Sequence, residues 1–340
     1  VSPAARGSSG ARYDLVVIGG GPAGEKAAVA AAFFGRRVAL VESAPEGPGG
    51  AAVHTGTLPS KTLREGALYL AGFRRRELYD VIREQFSDRP DSARALTRRL
   101  AAVRALQTRQ ILANLRRHGV ELVAGQASFI DAHRVQAGDR VLEADFVLVA
   151  TGSTPRHPPG FDFGDPEVFD SDTILDLDRI PESLAVVGGG VIGSEYACVF
   201  AALGTKITLI ESAPRVLGFL DDEISDALME AMRRQGIALE LNDEVIGVRR
   251  EGPDLLMTLR SGTAARVDRV LVSAGRTGRT AGLGLDRVGV APDARGLIRV
   301  NDRYRTSCPS IYAAGDVIGR PALASASIEQ GRMAVGAMFG

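Results

Sequence analysis

The stretch Tyr13–Ser43, YDLVVIGGGPAGEKAAVAAAFFGRRVALVES, decides the fold. It opens on an apolar run with β-branched side chains, which reads as a buried strand. Gly19, Gly21 and Gly24 follow in the pattern G-x-G-x-x-G, then an Ala-rich helical segment, then a second apolar run ending at Glu42. Strand, glycine turn, helix and strand make a βαβ unit. The first glycine allows a tight turn, the second lets the backbone approach a pyrophosphate, and the third lets helix and strand pack closely. The helix N-terminus then offers the phosphates its free N–H groups and positive dipole end. Glu42, eighteen residues after Gly24, is placed to accept the ribose hydroxyl protons.

One such motif is weak evidence, because glycine-rich turns are common. Ser183–Ser212, SLAVVGGGVIGSEYACVFAALGTKITLIES, repeats the whole unit with Gly188, Gly190, Gly193 and Glu211, again eighteen residues on. Two copies, each with strand, helix and acid in place, predict two dinucleotide sites. Hydride passes most readily between nicotinamides through a flavin relay, so one site is assigned to FAD and the other to a nicotinamide nucleotide.

The rest of the chain supports a mixed α/β protein. Two helical stretches, PSKTLREGALYLAGF and DSARALTRRLAAVRALQTRQILANLRRHG, lie between the repeats, followed by the short strands VELVAG, ASFID, HRVQAG and DFVLVATG. HPPGFDFGDPEVFD, rich in Pro, Gly and Asp, is the best linker candidate. IALELNDEVIGVRREG, DLLMTLRSG and RVDRVLVSAG alternate like a strand meander, and the strand SIYAAGD and helix LASASIEQGRMAVGAM close the sequence.

The chain has 340 residues, 45% hydrophobic and 24% charged, enough for two domains. Its zero formal net charge gives no field to draw nucleic acid or an acidic membrane. The longest near-apolar run, AAVAAAFFG, is too short to span a bilayer. Residues 1–12 read as a disordered tail without a cleavage pattern, and a cytoplasmic location is inferred. Cys198 and Cys308 form no CxxC, and His54, His118, His133 and His157 form no ligand pattern, so no metal site is expected.

Over almost all of residues 13–340 the chain resembles the pyridine nucleotide–disulfide oxidoreductases. Beyond the glycine motifs, the resemblance rests on VATGS ending at Ser153, SAGRT at Ser273–Thr277 and YAAGDV at Tyr312–Val317. It implies an α/β fold of two Rossmann-like dinucleotide-binding domains, each with a β-meander, the second inserted into the first. Residues 13–157 and 280–340 would bind FAD and 158–279 NAD(P). It places FAD on Gly19, Gly21, Gly24, Glu42, Gly49, Gly50, Lys61, Ala127, Thr151, Gly152, Ser153 and Gly315. Asp316 would hold the ribityl chain, and the backbone of Ala322, Leu323, Ala324 and Ser325 would run beside the flavin ring. It places the nicotinamide nucleotide on Gly188, Gly190, Gly193, Glu195, Glu211, Val245 and Gly275. Lys61 would sit under the flavin N5 edge, paired with Glu195 in a buried site, and these two are the candidate catalytic residues. The family also continues into a C-terminal interface domain that forms a homodimer, and this sequence stops before it.

The loop GGAAVHTGTLPSK, Gly49–Lys61, departs from the family's GGxCxxxxCxPSK. Aligned on PSK, Ala52 and Thr57 stand where the family has its redox cysteines, and neither can exchange a disulfide. HTGTLPSKTLRE, FDSDTIL, LGFLDDEISDAL and GRTGRTAGLGL resemble the soluble, Si-specific NAD(P) transhydrogenase branch, which also lacks the cysteine pair. That resemblance implies hydride transfer from NADPH to NAD⁺ through one flavin. The alternatives are an NAD(P)H:quinone or dye reductase, and an inactive or regulatory nucleotide-binding module. Glu211 suits NAD(H), since its charge repels a 2′-phosphate, while Arg215 could offset it.

Overall fold

Leu15, Val16, Val17 and Leu40 are fully buried, which is why the two apolar runs of the first repeat form central strands. The computed structural model describes residues 12–75 and 89–340. The expected disordered tail lies outside the described residues except for Arg12, which instead opens the first strand. Contacts divide the chain into two compact units, the first holding residues 1–54, 105–154 and 277–340, the second 55–104 and 155–276. By contact, residues 55–104, read with the first domain, group with the second unit. Leu63, Leu96 and Leu100 share one core cluster with Leu184, Tyr196 and Phe200, so apolar packing draws that helical segment to the second repeat.

In the first unit, β1 (Arg12–Ile18), α1 (Pro22–Phe33) and β2 (Val38–Glu42) form the βαβ unit, followed by the short α2 (Gly50–His54). In chain order two longer helices come next, α3 (Thr57–Arg75) and α4 (Arg89–Arg117); α3 and the part of α4 up to residue 104 belong to the second unit. Then come β3 (Glu121–Ala124), β4 (Ala127–Phe129), β5 (Arg134–Ala137) and β6 (Arg140–Val149). The sheet order is β3-β2-β1-β6-β5-β4, and Ile311–Ala313 also pairs with β6. β3, β2, β1, β6 and Ile311–Ala313 run parallel, while β5 runs antiparallel to its neighbours β6 and β4. The carboxyl ends of β1, β2, β6 and Ile311–Ala313 therefore lie along one edge, where Rossmann-like sheets take ligands.

Helix α1 buries Ala23, Ala27, Ala28 and Ala31. These small residues let the closing helix, Ala324–Phe339, approach its backbone, and a Cβ on Gly331 would overlap the carbonyl of Ala23.

In the second unit β7 (Val168–Asp170) lies within the stretch read as a linker. β8 (Ser183–Val187), α5 (Val191–Ala202) and β9 (Lys206–Glu211) form the second βαβ unit, followed by α6 (Asp222–Arg234). The strands β10 (Ala238–Leu241), β11 (Val245–Glu251), β12 (Asp254–Leu259), β13 (Ala264–Val267) and β14 (Arg269–Val272) follow. The parallel sheet has the order β10-β9-β8-β14-β7, and β11-β12-β13 form a separate antiparallel sheet. The meander is thus shorter than the alternation suggested. RVDRVLVSAG breaks at Asp268, and its second half, fully buried on both faces, joins the parallel sheet. Among the described residues, no helix is long and apolar enough to cross a membrane.

Candidate functional site

The three glycines of each motif answer to different constraints. Gly19 has φ 102°, and a Cβ there would overlap the carbonyl oxygen of Ala150 at the end of β6. A Cβ on Gly24 would overlap the carbonyl of Gly19 and stand 3.1 Å from Val17 Cγ1. Gly21 is unlike both. Its φ of −70° is open to any residue, and the nearest atom to a Cβ would be Gly50 Cα at 3.7 Å. The second motif repeats this division. Gly188 and Gly193 are boxed in by Ser273 and by each other, while Gly190, at φ −73°, has nothing within 4 Å of its Cβ position. Protein packing therefore requires glycine at the outer two positions of each motif and leaves the middle one free. An open cradle at the N-terminus of a twelve-residue helix fits a pyrophosphate.

Both glutamates serve their own turns. Glu42 Oε2 accepts the N–H of Gly20 at 2.9 Å, and its Oε1 accepts those of Ser43 and Ala44 at 2.8 Å each. Glu211 Oε2 accepts the N–H of Gly189 at 2.5 Å, and its Oε1 that of Ala213 at 2.8 Å and the Ser212 hydroxyl at 3.1 Å. A carboxylate offers about four lone-pair positions, so each keeps about one for a ribose hydroxyl.

Around the first cradle, Gly49 donates its N–H to Gly20 O at 2.8 Å, and Gly50, at φ 55°, backs onto Gly21 so closely that a Cβ would lie 2.8 Å from Gly21 Cα. Ser153 donates its hydroxyl to Asp316 Oδ2 at 2.9 Å, and the N–H of Gly315 donates to Gln330 Oε1 at 2.8 Å. Gly152, at φ 71°, has open space at its Cβ position. Thr151 Oγ1, just past β6, is buried without a hydrogen-bond partner. Buried hydroxyls are nearly always bonded, so this atom fits a ligand group reaching the edge. Ala127 is buried in β4, two residues after Gly125, whose N–H donates to Glu42 O at 2.8 Å. Ala322 holds φ 50°, and Leu323 is the N-cap of the helix that contains Ala324 and Ser325.

In the second unit Lys61, on α3, forms an ion pair with Glu195, on α5. The Lys61 side chain is 55% exposed and that of Glu195 25%. Between side chains so exposed, the penalty of leaving one partner alone is that of a solvated pair. Val245 opens β11 with its side chain in the core, and Gly275, at φ 98°, has an open Cβ position and accepts the Arg156 N–H at 3.0 Å.

Two contributors escaped the sequence reading. Ser273 Oγ lies 2.9 Å from Val187 O and 3.0 Å from Gly188 O, latching the second glycine turn to β14, and its place in SAGRT was the available signal. Gln330 carried no local signal, because its partner Gly315 lies fifteen residues away.

Both cysteines are free thiols. Burial, and then the charge of Glu195, push the Cys198 thiol up from its ordinary value, away from the thiolate that redox exchange needs.

Two glycine turns at helix N-termini, each followed by a glutamate that caps the turn, one per Rossmann-like unit, fit a two-nucleotide oxidoreductase. The chain belongs to the pyridine nucleotide–disulphide oxidoreductase family, whose description matches residues 13–331. It is 43% identical over 334 residues to the soluble pyridine nucleotide transhydrogenase of Mycobacterium bovis (strain BCG / Pasteur 1173P2), covering 96% of this chain and 71% of that one. The protein of the same name from Pectobacterium atrosepticum is 40% identical over 336 residues, covering 96% and 70%. Among solved structures, the HOCl-induced flavoprotein disulfide reductase RclA from Escherichia coli superposes with a TM-score of 0.83 at 30% identity, covering 94% of this chain and 69% of that one. LpdA from Mycobacterium tuberculosis gives 0.83 at 32% identity, covering 95% and 71%. Family membership and the flavoprotein neighbours imply FAD and NAD(P)H as cofactors, and the enzyme is transhydrogenase-like.

Proposed function

We propose that this chain transfers hydride between pyridine nucleotides, from NADPH to NAD⁺, with FAD as the relay that accepts and returns the hydride. The observation that carries the reading is the duplicated turn, in which packing requires glycine at the outer positions but not at the middle one: Gly190 has nothing within 4 Å of its Cβ position, and Gly21 only Gly50 Cα at 3.7 Å. We assign FAD to the first unit, on Gly19, Gly21, Gly24, Glu42, Gly49, Gly50, Thr151, Gly152, Ser153, Gly315 and Asp316. We assign the nicotinamide nucleotide to the second, on Gly188, Gly190, Gly193, Glu211 and Gly275. The domain division 13–157 with 280–340, and 158–279, remains our functional division of the chain.

When bound, the flavin supplies a two-electron acceptor and donor. The chain's own contribution is binding and orientation. Asp316, which accepts the Ser153 hydroxyl, would offer its carboxylate to hydroxyls of the ribityl chain. Glu195, on α5 five residues after Gly190, pairs with the Lys61 ammonium, and we assign this cation to the nicotinamide end of the site. No side chain needs to donate a proton, which suits a loop with Ala52 and Thr57 in place of a dithiol. We place the reaction in the cytoplasm and expect a homodimer only where the family's C-terminal interface domain is supplied.

The test is flavin content of the purified protein, then reoxidation after reduction by NADH or NADPH. Flavin reduced by NADPH and reoxidised by NAD⁺ supports the reading. Reoxidation by quinones but not by NAD⁺ makes the chain a diaphorase, and protein that takes up no FAD refutes both.

A further inference from the structure

We infer that Arg215 is the residue through which the second site accepts a nucleotide carrying a 2′-phosphate, and that Asp222 and Asp226 hold it in reserve. The inference rests on the assignment of a nicotinamide nucleotide to that site.

The loop Ser212–Leu217 closes on the glycine turn from both ends. Gly189 donates its N–H to Glu211 at 2.5 Å and accepts the Leu217 N–H at 2.8 Å. Val216 is fully buried, with its Cγ1 3.0 Å from the Cβ position of Gly189. These anchors hold Leu217 at φ 51°, a left-handed conformation that costs an ordinary residue about 1–2 kcal/mol. The loop's shape is therefore imposed. Arg215, immediately before Val216, is kept beside the turn whose ribose edge Glu211 marks.

Its guanidinium is engaged outward. Nε lies 2.7 Å from Asp226 Oδ1, one terminal nitrogen 3.2 Å from Asp226 Oδ2, and another 3.3 Å from Asp222. Glu211, Asp222 and Asp226 outnumber this cation, so the resting charge favours NADH. The two aspartates are 76% and 52% exposed, however, and water screens pairs of that kind strongly. A phosphate dianion is a better partner for the planar guanidinium fork than a solvated carboxylate. Arg215 can therefore turn to a 2′-phosphate when one arrives and return to α6 when it leaves. A chain that must bind both nucleotides in turn needs such graded discrimination, which Glu211 alone does not provide.

The experiment measures NADH and NADPH dissociation constants for the full chain by calorimetry, with 2′,5′-ADP as a probe lacking the nicotinamide. Arg215→Gln should weaken NADPH and 2′,5′-ADP by about tenfold and NADH by less than about twofold. Arg215→Lys should fall between. The double substitution Asp222→Asn and Asp226→Asn should tighten NADPH by about three- to tenfold. Equal weakening of both nucleotides by Arg215→Gln would make the residue a structural part of the loop and overturn the inference. An unchanged NADPH-to-NADH ratio in a chain that binds both overturns the inference alone. Binding of neither nucleotide by the wild type removes the site assignment and the inference with it.

Discussion

Replacing Gly190 and Gly193 separately by Ala should split binding from stability. At Gly193 the new methyl would overlap Gly188 O and stand 2.5 Å from Ser273 Oγ. Ordinary contact begins near 3.4 Å and Gly188 O would lie at 1.9 Å, so the helix must move off the strand by about 1.5 Å, and overpacking of that kind costs about 1–3 kcal/mol. Removing a glycine from the unfolded chain returns about 0.4–1 kcal/mol. The net loss of about 1–2 kcal/mol should lower the melting temperature by roughly 3–8 °C. At Gly190 the methyl meets nothing within 4 Å and the backbone is already in a region open to Ala. Stability should stay within about 1 kcal/mol, because the same entropy gain opposes a weaker helix cap. The methyl nevertheless fills the cradle, so NADH should bind at least about tenfold more weakly. Differential scanning calorimetry and NADH titration on the same preparations separate the two effects. If Gly190→Ala binds NADH normally, the space in front of it is not a phosphate site. If Gly193→Ala melts like wild type, the close approach of α5 to β8 is wrong.

Gly21→Ala should give folded protein depleted of FAD, read from the visible absorbance of the purified chain, and full flavin content would count against the first cradle. Lys61→Met should change stability by less than about 1 kcal/mol, since the pair with Glu195 is half solvated, yet slow flavin reduction by NADPH in stopped-flow records; unchanged reduction would remove it from the site. No turnover is expected with glutathione disulfide or lipoamide, and rates comparable to hydride transfer would show that Ala52 and Thr57 are misaligned. In the second unit burial pushes the Asp170 and Asp268 carboxyls up, but bonds from His157 and Thr173 on one, and from Arg179 on the other, hold both below the ordinary carboxylate range. A depressed folded value contributes stability above the unfolded pKa of about 4 and loses it as pH falls through the folded value, so urea midpoints should drop below about pH 4. Asp268→Asn should flatten that slope, and an unaltered slope would mean that Asp268 does not titrate with unfolding.

Both βαβ units were legible because they are local: strand, turn, helix and acid occupy about thirty consecutive residues, and each element depends on its neighbours. What the sequence left open was non-local. The segment 55–104 gives no sign of which sheet it packs on, because Leu63, Leu96 and Leu100 would suit any apolar partner. RVDRVLVSAG read as one strand since alternation does not reveal that its halves enter different sheets. The site showed the same division. The glycines and acids were visible from spacing, whereas the exposure of Lys61 and the outward engagement of Arg215 depend on which helix faces pack outward.

The double duty of Glu211 bears on how such a protein changes its preference over generations. The carboxylate we assign to nucleotide selection also fastens the Gly189 amide and the Ala213 amide, so a substitution that relaxed selection would loosen the glycine turn at the same stroke. Arg215, Asp222 and Asp226 carry no backbone amide of that turn in their bonds to one another. Drift toward one nucleotide or the other should therefore accumulate on the loop and on α6, while the glutamate stays where the turn needs it.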